Sequence, residues 1–505
     1  MPHRLKITPE GMQTLLERLY ARSIIADDYE LIIAIVEAHV LVDDTLAEKQ
    51  GTIMKLLRML FGAKTEKKKT DHVVKPNTPK EKSKGHGRNG RASYTGSNKV
   101  TVAHPSLKSG DPCPECHKGR VYPGRPSVLV RITGGAPLAA TSWELEKLRC
   151  NLCGEVFTPP LPESAGTAKY DATAGAMVAL LKYGSGLPFN RLEQLQESMG
   201  IPLPASTQWD IVEKTADRIH PVYRELIRQA AQGSLIHNDD TTMKILAAVN
   251  EKGRVGTFTT GMLSVAGTHT IALFFTGGKH AGENLTEVLR HRHAGLDPPM
   301  QMADALSRNT SGEFTTLLAN CLAHARRNFV DVAQNFPEEC RQVIDVLGGV
   351  YKNDAWTTKQ KMSPENRLLY HQAESSPLME GLQRWMCTRF DEKKVEPNSG
   401  LGKAFRYMLK HWEPLTLFLR APGAPIDNNL CERALKMAIM HRKNSLFYRT
   451  LHGAYIGDLF MSIIHTCRLS KVNPFDYLVA LQKHSRDVFR NPDRWLPWNY
   501  ETASG

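Results

Sequence analysis

Three short runs decide the fold: SLIHNDDTTMKIL (234–246), RVGTFTTGMLSVAG (254–267) and THTIALFFTG (268–277). They are rich in β-branched and aromatic residues and are punctuated by Gly, Asn and Asp, which is typical of β-strands. A helix-like run, GENLTEVLRHRH (282–293), and a short strand within PPMQMADAL (298–306) follow them. Three consecutive strands, a helix and a fourth strand predict a mixed α/β sheet.

The second and third of these runs raise the question of a membrane span. Residues 255–278 contain no Asp, Glu, Lys or Arg and are long enough to cross a bilayer. They also contain six Thr and five Gly, whereas a transmembrane helix is more continuously apolar, so we predict a buried β-hairpin. The start of the chain, MPHRLKITPEG, has no apolar signal segment. We therefore expect a cytoplasmic protein without a membrane partner.

The charge of the chain is concentrated in one segment. The 505 residues carry a net charge of +13, and 41% of them are hydrophobic, which excludes global disorder. Residues 64–99 hold eleven Lys and Arg against three acids and have few large apolar side chains. Such a segment cannot offset its ordering entropy, so a flexible linker is predicted. It is either a solvating tether or a mobile arm that binds phosphates.

The nine cysteines are too few in a chain of this length for a secreted disulfide framework. Four of them form two CxxC pairs, Cys113 with Cys116 and Cys150 with Cys153. Two such knuckles supply the four thiolates of a closed tetrahedral site, so we predict one structural Zn²⁺, with redox dithiols as the alternative. The Cys321-Leu-Ala-His324 stretch has half of this spacing but no second pair, and a buried apolar cysteine is favoured there.

Acidic residues end two of the predicted strands, Asp239 and Asp240 in LIHNDD and Asp304 in QMAD. Successive side chains of a strand point to opposite faces, so at most one of the first two can face a given site. The later stretch PIDNNLCERALKMAIMHRKN (425–444) predicts a helix in which Glu432 shares a face with cationic residues. Three carboxylates from separate elements suffice to bind two Mg²⁺ ions about 4 Å apart, although each acid alone also suits a turn cap or a solvated helix face.

Several stretches match one known family: CPEC…CNLC, LIHNDDTT, QMADALSRN, CLAHARRNFVD, EPNSGLGKA, IDNNLCERALK, HRKNSLF and NPFDYL. Through them the chain resembles, over nearly its whole length, the DDE transposases of the insertion sequence 66 family of bacterial mobile elements. The block from CLAHARRNF to NPFDYL is the most specific part of this resemblance.

The resemblance implies an α/β fold with an RNase H-like catalytic core and a large helical insertion. Asp239, Asp304 and Glu432 would then be the three catalytic acids and the ligands of Mg²⁺ or Mn²⁺. Many family members read Asp-Glu-Thr where this chain reads Asp239-Asp240-Thr241, which leaves Asp240 as an alternative first acid.

The expected domains follow from the same comparison and from the patterns above. They are a helical N-terminal region with a role in oligomerisation (1–62), the basic linker (63–104), the zinc-binding segment (105–163), a helical block similar to a helix-turn-helix (164–232), the first part of the core (233–330), the helical insertion (331–424), the core completion with C-terminal helices (425–485) and a tail (486–505).

The implied activity is metal-assisted cleavage of DNA at the terminal repeats of an insertion sequence, followed by strand transfer into target DNA. The implied partners are the element ends, the target DNA, further copies of the chain assembled on DNA, and accessory proteins of the same element, in a nucleoid-associated setting. Candidate phosphate contacts are His324, Arg326, Arg327, Arg433, Lys436, Arg442 and Lys443. These cations could equally be ordinary surface charge. Two alternative functions are an RNase H-like nuclease that does not join strands and a catalytically silent DNA-binding relative.

Overall fold

A computed structural model describes residues 9–21, 168–247 and 256–504, together with shorter stretches between residues 23 and 166. The chain divides into two compact units, residues 1–131 and 132–505. The predicted basic linker lies outside the described residues, as do Cys116, Cys150 and Cys153 of the predicted zinc site; Cys113 is described and half-buried. None of the helices in the described part of the chain is long and apolar enough to cross a membrane.

The elements before the main sheet are mostly helical. The first unit contains helix α1 (Pro9–Tyr20). The second unit begins with a two-stranded antiparallel ribbon and three helices: β1 (Leu148–Arg149), β2 (Val156–Phe157), α2 (Ala172–Ala179), α3 (Phe189–Ser198) and α4 (Ala205–Ala230). Asp171 caps α2 by accepting the amide N–H groups of Thr173 and Ala174, each at 3.0 Å.

A five-stranded mixed sheet lies at the centre of the second unit. Its strands are β3 (Leu235–Thr242), β4 (Phe258–Ala266), β5 (His269–Gly277), β6 (Met300–Ala303) and β7 (Leu317–Asn320), in the order β5-β4-β3-β6-β7. The first three are antiparallel neighbours, whereas β6 runs parallel to β3 and β7 runs parallel to β6. Helix α5 (Ala281–Leu289) joins the two halves. The mixed α/β sheet is therefore as predicted, and β7 adds a fifth strand to the four in the predicted pattern.

Helices complete the second unit. Between β7 and the last part of the fold lie α6 (Leu322–Val332), α7 (Pro337–Lys359), α8 (Pro364–Glu374), α9 (Ser376–Asp391), α10 (Gly400–Lys410) and α11 (Trp412–Leu415). The chain then forms α12 (Asn429–Ser445), α13 (Leu451–Leu469), α14 (Pro474–Lys483), α15 (Ser485–Arg490) and α16 (Tyr500–Ser504). One apolar core joins β3–β5 to α2, α4, α12, α13 and α14, and a second joins β6 and β7 to α6, α7, α9, α10 and α11.

Helix α13 covers the open edge of β5. The amide N–H groups of Ala272, Phe274 and Thr276 donate to the side chains of Thr466 at 3.1 Å, Ser462 at 2.9 Å and Asp458 at 2.6 Å. These three acceptors are spaced four residues apart along the helix, and the three donors are spaced two residues apart along the strand. Because a helix rises about 1.5 Å per residue and a strand about 3.3 Å, the acceptors and the donors are separated by similar distances. The helix thereby satisfies donors that an uncovered edge strand would leave unpaired.

A glycine in β4 lets helix α12 pack closely against the sheet. Gly261 of β4 pairs with Asp239 of β3, and a methyl group at position 261 would lie 2.8 Å from both Cγ and Cδ2 of Leu435 on α12. Nearby, the Cys431 thiol donates to the Gly261 carbonyl at 3.2 Å. Since α12 also carries Glu432, the space at Gly261 sets how closely that carboxylate approaches β3.

We predict that Gly261→Ala lowers the free energy of unfolding by about 1–3 kcal/mol, because the added methyl group overpacks the contact with Leu435. Urea unfolding followed by circular dichroism measures this difference. Gly277→Ala is the matched control, because a methyl group there meets nothing within 4 Å at the end of β5. Equal stability of the two variants would contradict the tight contact between β4 and α12.

Candidate active site

Neighbouring acids of β3 have different surroundings. The Asp240 side chain, only 3% exposed, accepts hydrogen bonds from Thr260 Oγ1 at 2.6 Å and from the Ala281 amide at 3.0 Å, and it lies 3.1 Å from His280 Nδ1. It therefore ties β3 to β4 and to the first turn of α5. Asp239 points to the opposite face of the sheet, as alternation along a strand requires, and its carboxylate accepts the Asp240 amide at 2.8 Å.

The electrostatic setting of Asp239 shows which carboxylates are its neighbours. Burial raises the pKa of Asp239 to about 7. The Asp240 amide opposes this rise, while the negative charges of Asp304, Asp240 and Glu432 add to it. Asp304 at the end of β6 and Glu432 on α12 are therefore near enough to Asp239 on β3 for their charges to act on it.

A buried amide network holds Asp304. Its carboxylate, one residue beyond β6, accepts the side-chain N–H of Asn309 and the Leu306 amide, the latter at 3.4 Å. The Asn309 carbonyl in turn accepts Asn238 Nδ2 at 2.8 Å and Gln301 Nε2 at 2.7 Å. Asn238, Gln301 and Asn309 are at most 1% exposed. Because each is constrained by the others, the network fixes the loop after β6 against β3.

The start of α12 is fastened to β3. The Asn428 side chain, fully buried just before α12, donates to the Asn238 carbonyl at 3.1 Å, and its oxygen lies 3.0 Å from His237 Nδ1. The Asn428 amide donates to Cys321 Sγ at 3.2 Å. Glu432 lies one helical turn further on, and its own amide donates to the Asn428 carbonyl at 3.1 Å. The contacts of one asparagine therefore place Glu432 near Asp239.

The Glu432 carboxylate has one buried oxygen, Oε1, without a hydrogen-bond partner among the described residues. His324 Nε2 of α6 lies 3.9 Å from this oxygen. Cys321, His324 and Glu432 are the one group of three potential metal-ligating side chains in the described ranges whose donor atoms all lie within 4.8 Å of one another. The three acids do not meet that distance criterion together, which is compatible with carboxylates that bind two ions about 4 Å apart.

The predicted phosphate contacts lie on α6 and α12. Five of them are exposed: Arg326, Arg327, Arg433, Lys436 and Lys443. Arg442 is half-buried and donates to Thr241 Oγ1 at 2.9 Å and Thr242 Oγ1 at 2.6 Å, so it fastens α12 to the end of β3. His324 faces Glu432 rather than open solvent. A phosphate contact at any of these positions stays a prediction.

Sequence reasoning did not identify the amides that hold the acids. Asn238, Gln301 and Asn309 support Asp304, and Asn428 supports Glu432. One signal was present, since Gln301 interrupts the otherwise apolar strand MQMA, and buried polar groups require partners. The partners of Asn238 and Asn428 come from distant parts of the sequence and could not be assigned from it.

We predict that Asp239→Asn changes the pH dependence of stability. The folded-state pKa of about 7 lies above the ordinary value of 3.8, so ionisation of Asp239 destabilises the fold progressively as the pH rises between these values. With a chelator present, the free energy of unfolding of the wild type should fall relative to that of Asp239→Asn by roughly 2–4 kcal/mol between pH 4 and pH 8.

Urea unfolding across this pH range measures the difference. Asp331→Asn, which removes an exposed carboxylate of α6, serves as the control for the loss of a charge. A difference between wild type and Asp239→Asn that does not vary with pH would contradict the burial of Asp239 among like charges.

Comparison with known proteins assigns the chain to a family. The profile of the family described as "Transposase IS66 family" matches residues 168–456, more than half of the chain and the whole range that holds the three acids. Two similar proteins from Sinorhizobium fredii are the uncharacterized proteins y4hP, 26% identical over 71% of this chain and 68% of its own length, and y4jD, 25% identical over 70% and 71%. The chain therefore belongs to the IS66 transposase family.

Proposed function

We propose that this chain is a DDE transposase that binds the terminal repeats of an insertion sequence and catalyses DNA cleavage and strand transfer through Asp239, Asp304 and Glu432. The observation that carries the proposal is that Asp304 and Glu432, from two other elements, lie near enough to Asp239 for their charges to raise its pKa. The strand order, three antiparallel strands followed by two parallel ones, supports an RNase H-like core.

The donor set suits Mg²⁺ or Mn²⁺. Asp239, Asp304 and Glu432 offer only oxygen ligands, which hard divalent cations prefer. Glu432 Oε1 has no hydrogen-bond partner among the residues that the structure describes, and Asp239 is repelled by neighbouring negative charges; a cation would relieve both. Two such ions, when bound, would stabilise the attacking and the leaving oxygen of an in-line phosphodiester displacement.

The residues around the acids would fix their positions. Asn309 orients the Asp304 carboxylate, and Asn428 sets the position of the helical turn that carries Glu432. Small displacements of catalytic groups slow reactions strongly, so the hydrogen bonds of these amides would contribute to the rate by preorganising the carboxylates. Asp240 would have a structural role and would not bind a metal ion, because its two oxygens already accept hydrogen bonds from Thr260 of β4 and Ala281 of α5.

DNA would lie along α6 and α12. Exposed Arg326 and Arg327 of α6 and Arg433 and Lys436 of α12 lie on the two helices that also carry His324 and Glu432. Arginine and lysine at such positions bind phosphates and give an affinity that falls with salt. Water would first attack at the element end and free a 3′-OH, which would then attack a target phosphodiester.

The proposed function also includes protein partners and a structural zinc ion. The family resemblance supports further copies of the chain assembled on DNA and accessory proteins of the same element as partners. The two CxxC pairs support one structural Zn²⁺ in the segment before residue 163.

We predict that Asp239→Asn, Asp304→Asn and Glu432→Gln each slow cleavage of labelled DNA carrying the element's own ends by at least about 100-fold, because each removes a metal ligand. DNA affinity should stay within a few-fold of wild type. The assay is run with Mg²⁺ and with Mn²⁺, and 3′-end joining to target DNA is scored in the same reactions.

Asp331→Asn is the matched control and should cleave at the wild-type rate. Full activity in any of the three active-site variants would contradict the assignment of that acid. Cleavage by the wild type without joining would favour the nuclease alternative, and DNA binding with neither reaction would favour the catalytically silent one.

A further inference from the structure

A second metal-binding arrangement uses Glu432 together with two residues of a different chemical character. Cys321 immediately precedes α6, His324 lies in its first turn, and Glu432 approaches from α12. One ligand atom from each side chain lies within 4.8 Å of the other two. The CxxH spacing alone lacks the second pair of a zinc site, and the fold supplies a third ligand from residue 432 instead.

The geometry suits zinc better than magnesium. At the usual Zn–S, Zn–N and Zn–O bond lengths, ligand atoms around a tetrahedral ion lie about 3.4–3.6 Å apart. The 3.9 Å between His324 Nε2 and Glu432 Oε1 needs only a small contraction to reach this spacing. Zinc accepts sulfur, nitrogen and oxygen ligands together, whereas magnesium rejects thiolate.

One oxygen of this group lacks a hydrogen bond. Glu432 Oε1, which lies 3.9 Å from His324 Nε2, is buried and has no hydrogen-bond partner among the described residues, so a bound cation would satisfy it. Cys321 Sγ accepts the backbone N–H of Asn428 at 3.2 Å. Such a hydrogen bond would stabilise a metal-bound thiolate, and the thiol proton would pass to solvent on binding.

We propose that Cys321, His324 and Glu432 bind one Zn²⁺, with a fourth position open to water, and that this ion withdraws Glu432 from the Mg²⁺ pair. The part of this inference that concerns inhibition rests on the proposed function; the site itself does not. Zn²⁺ would then compete with catalysis, and the availability of free zinc would regulate DNA cleavage by this chain.

The first test measures metal binding in the full-length protein without DNA. The protein is given a single equivalent of Zn²⁺, which the four thiolates of the CxxC pairs would bind more tightly than a site with one thiolate. Co²⁺ is then added, and the thiolate-to-Co²⁺ charge-transfer absorption is recorded. Wild type should show one equivalent of this absorption, and Cys321→Ser should bind Co²⁺ more than about 100-fold more weakly because a direct ligand is lost. Serine keeps an acceptor for the Asn428 amide, which protects the fold.

The matched control is Cys431→Ser. Cys431 is also buried and precedes Glu432 directly, but its thiol donates to the Gly261 carbonyl of the sheet. The Co²⁺ absorption of the Cys431→Ser variant should therefore equal that of wild type. His324→Gln is the second variant and should also lose the absorption, which keeps the test decisive if Cys321→Ser fails to fold. Equal Co²⁺ absorption in wild type, Cys321→Ser and His324→Gln would overturn the site.

The second test measures inhibition of Mg²⁺-dependent DNA cleavage by added Zn²⁺. Cys321→Ser should need at least about tenfold more Zn²⁺ than wild type for the same inhibition. Identical inhibition of both proteins would overturn the competition for Glu432. If the wild type cleaves no DNA, the proposed function fails, and the Co²⁺ absorption alone still decides whether the site exists.

Discussion

The Asn428 side chain fastens α12 to β3 by its hydrogen bond to the Asn238 carbonyl and its contact with His237, and the position of Glu432 depends on these interactions. They connect residues about 190 positions apart in the sequence, across the whole helical segment α6–α11. Their buried partners would be left unsatisfied without them, at a cost of about 1–3 kcal/mol for each group. Gly261 completes the arrangement by leaving room for Leu435, so that polar contacts and packing both determine how α12 crosses the sheet.

The same arrangement brings negative charges together in a half-buried place. The fold keeps a raised pKa at Asp239 and leaves one oxygen of Glu432 without a hydrogen-bond partner among the described residues, and perturbed carboxylates of this kind cluster at functional sites. By contrast, the neighbouring Asp240 has every contact that a structural carboxylate needs. Glu432 lies near Asp239 and also near the pair Cys321 and His324. Its carboxylate could therefore belong to either of two groups of metal ligands.

The sequence predicted the antiparallel strands, the strand after α5 and a helix that carries Glu432, because period-two and period-3.6 patterns depend on local residues. It also predicted that Asp239 and Asp240 face opposite sides, but it did not show that Asp240 contacts Thr260 and Ala281, which come from other elements. Strand β7 was not among the four strands of the predicted pattern, since LLAN is too short to show a period. The association of Cys321 with Glu432 was missed because it depends on how α12 packs, which spacing along the chain does not encode.

In the proposed mechanism, metal ions held by the three carboxylates contact the phosphate that is cut. Replacement of one non-bridging oxygen of that phosphate by sulfur tests this contact directly, because Mg²⁺ binds sulfur poorly and softer ions bind it better. We expect one phosphorothioate stereoisomer at the element end to be cleaved slowly with Mg²⁺ and Mn²⁺ to restore the rate, while unmodified DNA is cleaved with either ion. The same slowing with both ions would contradict metal contact with the scissile phosphate.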